Sequence, residues 1–132
     1  PHIIDIEATV GAVRHLIPPH FTAGETVLTV GSTIEELLDH VSGVISLSPF
    51  GCMPGRVGEA ILTESLNAEK HKQAKQNPWV GELMELHPSL PLLCLEIDGN
   101  PFPQIIEAKL ELFCLQVLRV HATLKAMVRL KV

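Results

Sequence analysis

The fold class of this chain is decided by residues 43–61, GVISLSPFGCMPGRVGEAI. The apolar run at 43–48 predicts a strand, and because it does not alternate strictly, it is typical of a strand covered on both faces. A tight loop comes next, in which Pro49 and Pro54 flank Cys52. Pro54 suits the first position of a helix, because it lacks the N–H that a helix start leaves unpaired. The stretch therefore predicts strand, loop and helix, with the helix running from about Gly55 into the 60s.

Similar patterns occur on both sides of this stretch. ETVLTV (25–30) predicts a strand that ends at Gly31, and Ser32 to Glu35 then fit a capping box for a helix to about His40. LPLLCLEID (90–98) predicts another strand, with turn residues and a long helix over 103–131 after it. Apolar residues at three- and four-residue steps predict a helix over 2–17, and WVGELMELH (79–87) predicts a short one. The polar residues 69–78 leave open whether the preceding helix continues.

This order of strands and helices predicts a fold built from βαβ units. We expect a single α/β domain over residues 1–132, a Rossmann-like three-layer domain with a short parallel sheet and a long C-terminal helix. In such sheets ligands bind outside the carboxyl ends of the strands. Three loops should share that edge: 31–33, 49–56 and 98–103.

Composition limits the possible partners and location. The net charge of −5 argues against a nucleic-acid partner, whose phosphates need a basic face. Three widely spaced cysteines define no disulfide framework, which favours a cytoplasmic protein, and no apolar run is long enough to predict a membrane span. The chain begins at Pro1 rather than Met, which either processing or excision from a longer protein would explain.

Cys52 is the strongest candidate for chemistry. A position just before a helix start favours a thiolate, which could bind a metal or attack an electrophile. The alternative is a small buried apolar residue. One cysteine cannot complete a metal site, and we expect Cys94, within a strand, and Cys114, within a helix, to be structural. Catalysis by Cys52 would need a base, and no histidine lies on the three loops.

The other candidates are binding residues at the same edge. Ser32 and Thr33 could hold a phosphate, although ordinary helix capping is the simpler interpretation. Gly51 would allow close approach of the backbone, and Arg56 could face an anion or solvent. Asp98 and Asn100 should shape the turn after the last strand, and Gln104 could point to the shared edge.

Two stretches resemble a known family. SPFGCMPGRVGEAIL (48–62) and PLLCLEIDGNPFPQIIEAKLELFCLQVL (91–118) resemble the closing part of acyl-CoA dehydratase activase-related proteins. These are relatives of the (R)-2-hydroxyglutaryl-CoA dehydratase component and its activator ATPase. The resemblance implies that Cys52 is one ligand of a [4Fe-4S] cluster, and it aligns Gln104, Glu107 and Lys109 with the helix after the strand. The implied chemistry is low-potential electron transfer in anaerobic metabolism, driven by ATP and used by an acyl-CoA dehydratase.

The chain also departs from that family. The other cysteine ligands and the phosphate-binding motifs of the ATPase are absent from it, so the cluster would be completed by residues elsewhere. We therefore expect a C-terminal domain of a larger protein, without ATPase or dehydratase activity of its own. Its expected partners are the other domains of that protein and an acyl-CoA dehydratase. The alternatives are a non-catalytic scaffold or interaction domain in which Cys52 is structural, and a free cysteine enzyme.

Overall fold

The computed structural model describes residues 5–18, 20, 24–99 and 103–130. It is a mixed α/β fold, mostly helical, with a short parallel sheet and a long C-terminal helix. The described elements in chain order are α1 (Ile6–Val13), α2 (Thr26–Glu36), β1 (Val44–Pro49), α3 (Met53–Ala74), α4 (Pro78–Leu86), β2 (Leu92–Ile97) and α5 (Pro103–Leu130). None of the helices in these ranges combines the length and the apolar character needed to cross a membrane.

The two strands form one βαβ unit. β1 and β2 pair in parallel, in a register that runs from Val44 opposite Leu92 to Pro49 opposite Ile97. The connection between them contains α3 and α4, and α3 packs against β1. The predicted strands at 43–48 and 90–98, the helix after Cys52 and the helix after β2 are therefore confirmed. The polar residues 69–74 continue α3 rather than fraying from it.

The predicted strand at 25–30 is wrong, since residues 26–30 belong to α2 and Glu25 is its N-cap residue. Thr26, Val30 and Ile34 are all buried, a four-residue spacing that places them on one face of the helix. The β-branched run was compatible with either structure, and packing against α1 and α3 overrides its strand propensity. The predicted capping box fails for the same reason, because Ser32 lies well inside α2. The described sheet thus has two strands instead of the expected three.

The first helix is shorter than predicted. α1 begins after Asp5, whose carboxylate accepts hydrogen bonds from the N–H groups of Glu7 and Ala8 at 3.0 and 3.2 Å. This side-chain cap satisfies donors that the first turn leaves unpaired. The helix ends at Val13 and not at Ile17, and residues 1–4 of the predicted segment lie outside the described residues.

The core lies mainly between the helices. It is aliphatic, as the low aromatic content predicts, and Val120 of α5 joins it. The fully or nearly fully buried members include Val13, Val30, Leu37, Leu62, Val80 and Leu83. Burial of these side chains from five helices and their connecting loops holds the helical part together.

β1 is not covered on both faces in the described structure, contrary to expectation. Ser46 and Ser48 are half-buried, whereas Ile45 and Leu47, on the opposite face, are 43% and 60% exposed. The covered face lies against α3, where a Cβ atom on Gly55 would stand 2.6 Å from the Cβ atom of Ser48. The missing side chain at Gly55 therefore lets the first turn of α3 approach the end of β1.

Gly31 marks a close crossing of α1 and α2. A Cβ atom at this position would overlap the backbone oxygen of Thr9 and stand 2.7 Å from its Cγ2 atom. Nearby, the Thr9 hydroxyl donates a 2.7 Å hydrogen bond to Glu35. Gly31 thus does not terminate a strand, as expected from the sequence, but allows two helices to touch.

We predict that Gly31→Ala lowers the free energy of unfolding by about 2 kcal/mol, the usual cost of inserting a methyl group where backbone atoms cannot move away. Gly11→Ala is the matched control, because a Cβ atom there meets nothing within 4 Å. That change should raise stability by about 0.5–1 kcal/mol through its better helix propensity. Urea unfolding of both variants measures the difference, and equal effects would refute the tight crossing.

Lys70 is a buried cation in α3. Its side chain is fully buried, and its Nζ lies 2.8 Å from Gln73 Oε1 and 3.4 Å from Asp39 Oδ2. Burial lowers the pKa of Lys70 below its ordinary value of 10.5, although Asp39 opposes the shift by stabilising the charged form. The folded state therefore binds this proton less tightly than the unfolded chain.

We predict that the wild type gains stability relative to Lys70→Met as pH rises through the folded-state pKa toward 10.5. In that interval the unfolded lysine is protonated and the folded one is not, so the desolvation penalty of the charged amine is relieved. Urea unfolding at about pH 7 and about pH 10 measures the change. The exposed Lys75, converted to Met, should show no such trend, and an identical trend in both variants would contradict the assignment.

Candidate functional site

The carboxyl ends of β1 and β2 bring together two of the three loops that the sequence placed at this edge. Pro49 and Ile97 end the two strands at the same level of the sheet. The Phe50 N–H donates to the Ile97 carbonyl at 3.1 Å, which extends the pairing by one step into the loop. The Cys52 loop therefore starts beside Asp98, the first residue after β2.

Cys52 is held as the N-cap residue of α3. Its N–H donates to the Pro49 carbonyl at 3.0 Å, and its carbonyl accepts from the Arg56 N–H at the same distance. The side chain makes no capping hydrogen bond and is half-buried. Phe50 and Met53 on either side are 71% and 60% exposed, so the loop faces solvent. Backbone hydrogen bonds therefore fix the Cys52 main chain, and the half-buried side chain takes no part in capping the helix.

Gly51 and Glu96 tie this loop to β2. Gly51 has φ of 71°, a left-handed conformation that glycine adopts without strain. Its N–H donates to Glu96 Oε1 at 3.3 Å. Ser48 and Glu96 are opposite each other in the register, so Glu96 is placed by the sheet itself.

Arg56 connects the loop, the strand and the helix. Its guanidinium Nη1 lies 2.9 Å from Glu59 Oε2, one turn along α3, and its Nε lies 3.4 Å from Glu96 Oε1. The Arg56 side chain is more than half exposed, so these ion pairs add little to stability. They orient the guanidinium, and both carboxylates compete with any anion for it.

A cleft of about 350 Å³ lies between the start of α3, the end of β2 and the start of α5. It contains both charged and apolar groups, namely Phe50, Arg56, Glu59, Cys94, Leu95, Glu96, Asp98, Ile105, Ile106 and Lys109. Burial raises the pKa of the Cys94 thiol, and the nearby Glu59 carboxylate raises it further. Cys94 is therefore held as a neutral thiol, which is a poor nucleophile and a poor metal ligand.

Several predicted site residues are not at this edge. Ser32 and Thr33 lie inside α2, where the buried Thr33 hydroxyl donates to the Thr29 carbonyl at 2.8 Å. A phosphate site at a helix start is therefore wrong for this pair. Asp98 is exposed after β2, Gln104 is exposed in the first turn of α5, and Asn100 lies outside the described residues.

Two carboxylates of the cleft were not predicted as site residues from the sequence. Glu59 and Glu96 orient Arg56, and Lys109 lines the far wall. Glu59 follows Arg56 by three residues in a predicted helix, a spacing that favours an ion pair. Cys94 lies in β2 and Cys114 in α5, as expected, with Cys94 half-buried and Cys114 exposed, and their structural role stays a prediction.

The donor set limits which metal group fits. Among the residues that the structure describes, no three His, Cys, Asp or Glu side chains lie close enough to hold a metal ion. An iron–sulfur cluster is usually held by four cysteine thiolates. Cys52, accessible at an open loop, fits as one such ligand, and the others would have to come from outside the described part of the chain.

Three of the described histidines make their polar contacts with residues away from the Cys52 loop. His15 lies 3.0 Å from Glu69, His87 lies 2.8 Å from Thr123, and His121 lies 3.1 Å from Ser42. No histidine among the described residues lines the cleft. The described contacts therefore add no support to the hypothesis of a Cys52 nucleophile activated by a histidine base.

Comparisons with known proteins assign this chain to no family. No family model, no curated protein and no solved structure matches this chain.

We predict that the three thiols differ in reactivity near neutral pH. In variants that keep one cysteine each, iodoacetamide should alkylate the exposed Cys114 fastest and Cys94 about tenfold more slowly, because burial keeps Cys94 protonated. In denaturant the rates should converge. Glu59→Gln should speed the reaction of Cys94 and leave that of Cys114 unchanged, whereas a fast Cys94 in the folded protein would refute its burial.

Proposed function

We propose that this chain is an α/β domain of an activase-related protein of the 2-hydroxyacyl-CoA dehydratase system. In this proposal Cys52 supplies one ligand to an iron–sulfur electron-transfer site shared with other domains. The observation that supports it best is the position of Cys52. The residue lies at the carboxyl edge of a parallel sheet, at the start of a 22-residue helix, on a loop whose backbone is held from both sides.

The residues around Cys52 are suited to holding a ligand in place. The backbone hydrogen bonds to Pro49 and Arg56 fix the Cys52 main chain, and the contact of Gly51 with Glu96 anchors the loop to β2. A bound cluster would supply one-electron transfer, and this chain would supply one thiolate and a rigid loop.

The exposed face of β1 supports the idea that other domains complete the structure. Parallel sheets are normally covered on both faces, yet Ile45 and Leu47 are largely exposed. Two strands are also few for an independent sheet. We propose that the chain is one Rossmann-like, three-layer domain of a larger cytoplasmic protein of anaerobic metabolism. In this proposal neighbouring domains cover the open face of its sheet.

A second candidate function is a non-catalytic interaction domain. It is favoured by a specific observation on α5, where Leu112, Leu115 and Leu118 are 60%, 54% and 63% exposed. These residues succeed one another at three-residue steps and form an apolar strip. In this alternative the strip docks on neighbouring domains, and the Cys52 loop only shapes the edge of the sheet.

The two functions differ in what Cys52→Ala does. We predict that anaerobic iron–sulfur reconstitution of the full-length protein gives lower iron content and a weaker visible absorption band in Cys52→Ala than in wild type, since the cluster loses one thiolate. Cys114→Ala is the matched control, because it removes an exposed thiol on α5. It should keep the wild-type iron content and spectrum.

Equal iron content and identical spectra in wild type and Cys52→Ala would remove Cys52 as a ligand and leave the interaction domain. Equal loss in both variants would also contradict the proposal, because it would show a dependence on thiols in general. Circular dichroism of each variant before reconstitution checks that the fold is intact.

A further inference from the structure

A groove lies at the opposite end of the molecule from Cys52. It is bounded by residues 38–42, which precede β1, by Trp79 of α4 and by the last turns of α5, and we call it the α5 groove. Its volume is about 590 Å³, within the range of sites that take small organic ligands. None of the Cys52-loop residues lines it, so a role for this groove is independent of the proposed iron–sulfur function.

The floor of the α5 groove is apolar. Leu38 is buried beneath it, and Trp79, Leu124 and Met127 are partly buried side chains that pack against the core. Val128, at the groove wall, is 65% exposed. An apolar ligand segment lying here would cover surface that the described chain leaves in contact with water.

One wall of the α5 groove is basic. His121, Lys125 and Arg129 succeed one another at four-residue steps on α5, so they lie on one face of the helix. Among the described residues, Lys125 and Arg129 form no ion pair with a carboxylate. Asp39, the one acid among the described lining residues, lies 3.4 Å from the buried Lys70 amine. The wall is therefore locally positive on a chain whose net charge is −5.

The loop that closes the groove is strained. Leu38 has φ of 74°, a left-handed conformation that is rare for leucine. Two backbone hydrogen bonds stabilise this conformation. The Leu38 N–H donates to the Val41 carbonyl at 2.8 Å, and the Val41 N–H donates to the Glu36 carbonyl. Such outliers persist where surrounding structure holds them and are common at ligand sites.

We propose that the α5 groove binds an amphiphile with a linear apolar chain and a single anionic head, a medium-chain carboxylate. The chain lies over Trp79, Leu124 and Met127, and the head lies beside Lys125 and Arg129. Charge complementarity decides the class of ligand. An apolar molecule without a charge would leave the two cations unused, and a cationic amphiphile would be repelled by them.

The test uses the chain's only tryptophan, Trp79, as a probe inside the groove. Titration with dodecanoate, below its micelle-forming concentration, should change Trp79 fluorescence saturably. Binding of decanoate should be about tenfold weaker, because two fewer methylene groups are removed from water. Dodecyltrimethylammonium, with the same chain and the opposite charge, should bind more weakly than dodecanoate, and equal or tighter binding would overturn the proposal.

Charge reversal on α5 locates the head group. Lys125→Glu and Arg129→Glu should each weaken dodecanoate binding by about threefold, the usual size of an ion pair between exposed groups. Arg119→Glu is the matched control, since it makes the same change at an exposed position of α5 outside the groove, and it should bind as wild type does. Equal weakening in all three variants would reduce the effect to overall charge and refute the assigned site.

Two other occupants are distinguished in the same experiment. An acidic amphipathic peptide that saturates the Trp79 change more tightly than dodecanoate would assign the groove to a protein partner. Concentration-dependent dimerisation that changes Trp79 fluorescence and blocks dodecanoate would assign it to a second copy of the chain. Either result would overturn the proposal.

Discussion

The parallel pairing of β1 with β2 is the constraint on which the candidate site depends. Because both strands run in the same direction and end at the same level, the Cys52 loop and Asp98 emerge side by side. Glu96, placed by the same register, then reaches both Gly51 and Arg56. The parallel arrangement also requires a long connection, which α3 and α4 provide and which carries most of the helical packing.

The two ends of the molecule have different chemical character. At the carboxyl edge, Arg56 is already engaged by two carboxylates, and the neighbouring Cys94 thiol is kept neutral by burial. At the other end, Lys125 and Arg129 border an apolar floor without a carboxylate partner among the described residues. The first end is suited to fixing a loop in place, and the second to receiving an anionic group from outside.

Burial is unevenly distributed between the helices and the sheet. The helices enclose a continuous aliphatic core, and they also bury the Lys70 amine. This burial lowers the pKa of Lys70, although Asp39 stabilises the charged form. The sheet, in contrast, leaves Ile45 and Leu47 on an open face. A parallel sheet that is open on one face, beside a well-packed helical core, is expected of a domain that contacts other domains. Both functions proposed for the chain involve such contacts.

Local sequence signals were sufficient to predict the strand, loop and helix around Cys52, the second strand and the long last helix. Pro54 lies in the first turn of α3, Gly51 permits the turn before it, and α5 has no internal glycine or proline. Tertiary packing was needed to decide that residues 26–30 are helical, because their β-branched side chains suit a strand or a helix. The close approach of Gly31 to Thr9 on the neighbouring helix is a feature of the fold alone. The cleft beside Cys94 and the α5 groove likewise depend on residues far apart in the chain, whose proximity no local pattern encodes.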